Sequence, residues 1–238
     1  MKYSRLAVLA GFIIAFTSTN IYAEDILKWA RVKVNIKKPC QEDWDNGLET
    51  DVIFLKEVEK LTTLKFDMKV NVVTLQDLDE MVKYPLLYMR ASRPPVLSAK
   101  EQSNLREYLK RGGVLFGDDN HEGSGGLGTE DEFYRGMKQI MEEQIFPGRK
   151  MEFIPLDHEI FHCHFDLPFG WPVCAGEVHN KDNNVPLGMF AEKDKHLMVL
   201  IYGGSLMGGW STTWECSAVK KRQAYKAGVN LIVYSMTH

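Results

Sequence analysis

Long apolar runs are nearly missing from this sequence of 238 residues: one lies near the N-terminus, from Leu6 to Phe16, and nothing later is long enough to cross a bilayer. An excess of basic charge is missing too, since 29 Lys+Arg stand against 32 Asp+Glu for a net charge of −3. Partners that want a basic face, nucleic acid and anionic membrane, are therefore not expected. Cysteine is sparse: Cys40, Cys163, Cys174 and Cys216 are all there is, and their spacing fits no metal-knuckle pattern. No internal repeat is visible, and no linker marks a second domain.

What is present begins at the N-terminus. Lys2 and Arg5 precede the apolar run, and small Ala23 precedes the acidic pair Glu24 and Asp25. That is the layout of a secretory signal peptide. Cleavage after Ala23 is expected, giving a signal peptide over 1–23 and one α/β domain over 24–238. An uncleaved anchor is the alternative, because Ile21 is bulky for its place. Loss of Lys2 and Arg5 with the leader takes Lys+Arg from 29 to 27 against 32 Asp+Glu, a net charge of −5. A soluble or peripheral protein in the periplasm, or secreted, is the expectation, with 45% apolar residues to build a core. Disulfides are permitted in such a space. Cys163 and Cys174 are the favoured local pair, and unpaired buried thiols are the competing reading.

Past the leader, strand-like and helix-like segments alternate. Strands are expected over Lys28–Asn35, Lys69–Leu75, Pro85–Met89, Gly113–Gly117, Met151–Pro155 and Leu197–Tyr202, with a last one in VNLIVYS, 229–235. Helices are expected over Asp51–Thr63, over Ser98–Arg111 with a Ser98/Glu101 capping box, from the Thr129/Glu132 box to about Gln144, and from Cys216 to Ala227. The alternation predicts a doubly wound, mostly parallel sheet covered on both faces. Such folds bind ligands beyond the carboxyl ends of their strands, near the point where strand order reverses.

The strand 113–117 runs into GDDNHEG. Asp118, Asp119, Asn120 and His121 therefore stand where this fold concentrates its sites, and close carboxylates can bind a cation or divide acid and base roles. The competing reading is that one aspartate caps the following turn. Gly123, Gly125 and Gly128 match G-x-G-x-x-G, but Asp118, Asp119 and Glu122 would repel a pyrophosphate, so the stretch reads as a loop. In LDHEIFHCHFD, His158 and His162 share a face only on a helix, and His162 and His164 only on a strand. A zinc-like site over all three needs a change of backbone geometry at His162 and one more ligand from His179, Glu177, His121 or Asp118. The Gly- and Trp-rich stretch 202–215, with Trp210 and Trp214, reads as a pocket wall or as a packed turn.

The stretches YPLLYM, LREYLKRGGVLFGDD, DHEIF, GGW and GVNLIVYSMTH together resemble the bacterial family called domain of unknown function 4159, over roughly Trp29 to His238. The resemblance implies a class I glutamine amidotransferase-like α/β fold, flavodoxin-like in outline. In amidotransferases a nucleophilic cysteine occupies the sharp turn after the equivalent strand. Here that turn holds Gly117, Asp118 and Asp119, so glutaminase chemistry is not implied. The sequence also departs from the family at Glu159, where proline is expected, and at Leu206-Met207, where an acidic residue is common.

The function expected is binding of a small molecule or an envelope protein, as an accessory protein of the bacterial envelope, with Asp118, Asp119, Asn120 and Trp210 as ligand-binding residues. The alternative is a hydrolase, metal-assisted or Asp/His-based, with Asp118, Asp119, His121 and His158 as its catalytic candidates. No cofactor is called for. A divalent metal at His158, His162 and His164 is the one weighed.

Overall fold

A computed structural model describes residues 26–36, 44–120, 132–174, 184–193, 195–213 and 215–238. The expected leader and cleavage position, Cys40, His121, the three glycines, Thr129, Glu177, His179 and Trp214 lie outside the described residues.

Seven strands form one sheet in the order β2-β1-β3-β4-β7-β6-β5. They are β1 (Leu27–Lys33), β2 (Phe66–Thr74), β3 (Leu86–Ala91), β4 (Val114–Asp119), β5 (Glu152–Phe153), β6 (Leu187–Phe190) and β7 (Leu197–Tyr202). β1 to β4 and β7 run parallel, whereas β6 is antiparallel to β7 and β5 to β6. Every residue of β3, β4 and β7 is buried, which is why these strands read as apolar runs rather than as alternations until Arg90 in β3 and Asp118 and Asp119 in β4. The strand order reverses between β1 and β3.

Helices cover both faces. On one side lie α3 (Ala99–Lys110), α4 (Glu132–Gln139) and the π-helical turn Ile140–Ile145, through Leu105, Leu109, Phe133, Met137 and Met141. On the other lie α1 (Leu48–Leu61), α5 (Leu206–Trp210) and α6 (Ala218–Thr237), through Phe54, Leu55, Leu206, Trp210, Ala224 and Leu231. A one-turn α2 (Leu78–Met81) sits between β2 and β3. The capping box read at Ser98 is present: its hydroxyl accepts from the Glu101 amide at 3.3 Å, and the Glu101 carboxylate accepts from the Ser98 amide at 2.8 Å.

One expected element is wrong. VNLIVYS is not a strand but the second half of α6, which runs on from the expected helix without a break. A run of seven whose polar residues, Asn230 and Ser235, follow no clear strand or helix spacing carries little period, so strand and buried helix look alike in it. Tertiary packing decides. At Gly228 a side chain would stand only 2.4 Å from the Phe54 ring and 2.9 Å from Trp210, so α6 lies at backbone contact on α1 and α5. Buried Asn230 then ties the helix to the segment beyond β5: its amide donates to the carbonyls of Ile160 at 3.0 Å and Phe165 at 2.8 Å and accepts from the Phe165 N–H at 2.7 Å.

Candidate functional site

Alternation along the strands places Arg31, Tyr88, Arg90, Asp118 and Tyr202 on one face of the sheet, toward its carboxyl edge. Arg31 pairs in register with Tyr88, Arg90 with Asp118, and Asp118 with Tyr202. A row of polar groups thus crosses four adjacent strands inside the protein, where each must find partners.

Asp118 is fully buried and accepts three hydrogen bonds: from the Leu206 N–H at 2.9 Å, the Met207 N–H at 3.0 Å and the Tyr88 hydroxyl at 3.1 Å. Burial pushes its pKa above the usual carboxylate value, against the pull of the Arg90 charge and these donors. Burial and the neighbouring Asp118 push Tyr88 well up, so its hydroxyl keeps the proton it donates. Asp119 points to the other face, where it accepts from the Tyr134 N–H in the first turn of α4 at 3.0 Å. Each aspartate holds the start of a different helix, one on each face, as adjacent positions of an extended strand require. Asn120, also buried, accepts from the Arg90 guanidinium, and its own amide nitrogen has no acceptor among the described residues.

Sequence reasoning missed Ser205. It lies between β7 and α5 with φ 48° and ψ 91°, a left-handed conformation that a residue with a Cβ rarely adopts. Its hydroxyl caps α5 by accepting from the Gly208 N–H at 3.3 Å. Strain of this kind persists only where surroundings impose it, and the pair of hydrogen bonds that the next two amides donate to Asp118 is that imposition. A serine ahead of a short helix was the available signal. Trp210, read as a pocket wall, is enclosed instead: it stacks on Phe54 at 3.9 Å between ring centroids and donates to the Ala224 carbonyl at 2.9 Å.

Behind this row lies a second network. Arg31 and Asp51 form an ion pair with both side chains fully buried. Asp51 also accepts from the Trp29 indole at 2.9 Å, and Arg31 donates to the carbonyls of Trp44 at 3.0 Å and Asn46 at 3.3 Å while its guanidinium lies 4.5 Å above the Tyr88 ring centroid.

The three histidines are not part of this edge. His158 caps the 3₁₀ turn Glu159–Phe161, its Nδ1 accepting from the Ile160 N–H at 3.1 Å, and its ring lies against Phe190 and Tyr234. The Tyr234 hydroxyl accepts from the amide of Leu197, the first residue of β7, whereas Asp118 is level with Tyr202, the last. Five steps of a strand, roughly 16 Å, separate the two levels. Both ring nitrogens of His162 are engaged, Nδ1 with Asp166 at 2.6 Å and Nε2 with the Leu156 carbonyl at 2.7 Å. His164 meets Phe165 edge to face. Among the described residues no group of three or more His, Cys, Asp or Glu is placed to hold a metal.

These surroundings divide the histidines. Burial lowers the His158 pKa, in keeping with an Nδ1 that must stay unprotonated to cap Ile160. The Leu156 carbonyl, then Asp166, raise that of His162. An NMR titration of the imidazole protons should therefore find His158 titrating below 6.5 and His162 above it; the reverse order would contradict the placement. The signs for stability follow. His158 contributes above its unfolded pKa, a contribution lost as pH falls, and His162 contributes below its own, lost as pH rises.

Cysteine chemistry is no better placed. Cys174 is near enough to feel the Asp118 charge, but burial, Cys216 and Asp118 push its thiol far up, the opposite of what a nucleophilic thiolate needs. Cys163, the other half of the expected local pair, donates to the Asn230 carbonyl at 3.3 Å instead. No helix among the described residues is long and apolar enough to cross a membrane.

The sequence matches the family described as Domain of unknown function (DUF4159) over residues 28–236. No curated protein matches the chain.

Proposed function

The chain belongs to this family, and from that premise we propose that it is a binding protein of the bacterial envelope, exported by its leader, on an amidotransferase-like fold that lacks the nucleophilic cysteine. One observation carries the reading: at the strand end where this fold places its chemistry, both carboxylates are committed to holding helices. Asp118 has three donors on it and Asp119 has the amide of Tyr134. A general base needs its lone pairs within reach of a substrate proton, and both carboxylates are instead buried with their oxygens turned to backbone amides. The hydrolase alternative wanted His121 or His158 to complete its site; His158 stands a strand's length away, and His121 lies outside the described residues.

What remains at this edge is suited to recognition. The Asn120 amide nitrogen is a donor with no acceptor among the described residues, and the Arg90 guanidinium beside it adds positive charge, a pairing that fits a carboxylate or phosphate oxygen. Glutamate and inorganic phosphate serve as probes in a thermal-shift titration of the purified protein. Saturation at about 100 times Kd adds about 2.7 kcal/mol, or roughly 5–10 °C in Tm for a domain of this size. The expected result is such a rise with at least one probe, blunted in Asn120→Ala and Arg90→Lys. A flat response to both, or a rise that both variants keep, would count against recognition at this edge.

A further inference from the structure

Cys174 and Cys216 were not read as partners in the sequence, yet their side chains lie within hydrogen-bonding reach of one another. Both are half-buried free thiols. They converge because of α5. The Cys174 amide donates to the Gly204 carbonyl at 2.9 Å, which lays its segment along the turn into that helix. Its sulfur then rests against Gly209, 2.8 Å from where a Cβ would stand, while the Ala224 methyl of α6 presses on the same point at 2.4 Å. Cys216 immediately precedes Ser217, whose hydroxyl caps α6 by accepting from the Lys220 amide at 3.3 Å. The short helix that carries the amides bound to Asp118 thus has Cys174 packed on its Gly209, and Cys216, just ahead of α6, is within interaction range of Cys174.

We propose that Cys174 and Cys216 form a disulfide under oxidising conditions, fastening the segment that carries Cys174 to the start of α6 and clamping α5 against Asp118. The oxidant is a disulfide donor, a low-molecular-weight disulfide or a protein dithiol oxidase. The Cys216 thiolate attacks one donor sulfur and expels the other as a thiolate. Cys174 then gives up its proton, and its sulfur attacks the Cys216 sulfur of the mixed disulfide, releasing the second donor thiol. Two protein thiols are oxidised and one donor disulfide is reduced to two thiols. Burial holds the Cys174 proton firmly, which assigns the first attack to Cys216. The bond closes a loop of about forty residues, long enough for a marked gain in stability.

The test uses the whole purified chain, equilibrated with oxidised glutathione, denatured, alkylated and digested without reductant. Mass spectrometry should find one linked peptide joining Cys174 to Cys216, with Cys163 alkylated. The oxidised protein should melt roughly 5 °C or more above the reduced one. That gap should vanish in Cys174→Ala and in Cys216→Ala and survive in Cys163→Ala. Alkylation of both Cys174 and Cys216 after oxidation, or linkage of either to Cys40 or Cys163, overturns the proposal. The peptide map decides even if a variant fails to fold. Because the oxidant is supplied in the tube, failure here leaves the proposed location and ligand reading standing, and the reverse holds too.

Discussion

Asp51→Ala should cost about 3–5 kcal/mol, a third or more of the stability of an ordinary domain. The reason is the state in which it leaves Arg31. Burial works against the guanidinium charge, but Asp51 and its other neighbours more than offset that and raise its pKa, so it remains a cation inside the protein. With Asp51 gone, a buried charge keeps no carboxylate in contact, only the two carbonyls at 3.0 and 3.3 Å, the Met207 sulfur at 3.9 Å, the face of Tyr88 and the more distant Asp118 charge, and the Trp29 indole loses its acceptor. Urea denaturation measures this as a lower midpoint at unchanged slope. Replacing both partners by apolar residues, Arg31→Met with Asp51→Leu, should recover most of the loss, because a buried pair is expensive to break and cheap to replace. A cost below about 1 kcal/mol for the single change would mean that water reaches the pair.

Asp118→Ala should cost about 3 kcal/mol or more, since it strands two backbone amides and a hydroxyl in the interior, each at about 1–3 kcal/mol. The damage should be local as well as global. The amides of Leu206 and Met207 take their acceptor from Asp118, and Ser205 keeps its strained backbone because of them. Hydrogen exchange at these two amides should accelerate by orders of magnitude more than at the centre of β4 or β7. Asp118→Asn should be milder, because its carbonyl oxygen can still accept one amide while its NH₂ group meets the other donor to donor. Equal effects of the two substitutions would show that α5 is held by its packing on α1 and α6 rather than by the carboxylate.

The sequence announced the parts of this structure that obey a local rule. The apolar stretches that open β3 and β4 and make up β7, and the Ser98/Glu101 box, were legible because each depends on neighbours a few residues away. The carboxyl end of β4 was legible as the place to look, since the fold concentrates groups there. What those groups do was not. Asp118 meets amides 88 and 89 residues further on, and Arg31 meets Asp51 across 20. No spacing rule reports such pairings. The second half of α6 was misread because its run carries little period, and Trp210 because flat apolar residues line a core as readily as a pocket. The histidine stretch was legible in one respect: its spacings demand two backbone geometries, and the three rings do go to three separate places.

The central claim is that the Asp118-Asp119 pair at the end of β4 holds helices and does not react. Turnover tests it most directly: release of ammonia from glutamine and of nitrophenol from p-nitrophenyl acetate, by the wild type and by Asp118→Asn, each first shown to be folded by circular dichroism. The account predicts rates indistinguishable from buffer for both proteins. Turnover by the wild type that Asp118→Asn abolishes while remaining folded would contradict it, and would make the pair an active centre.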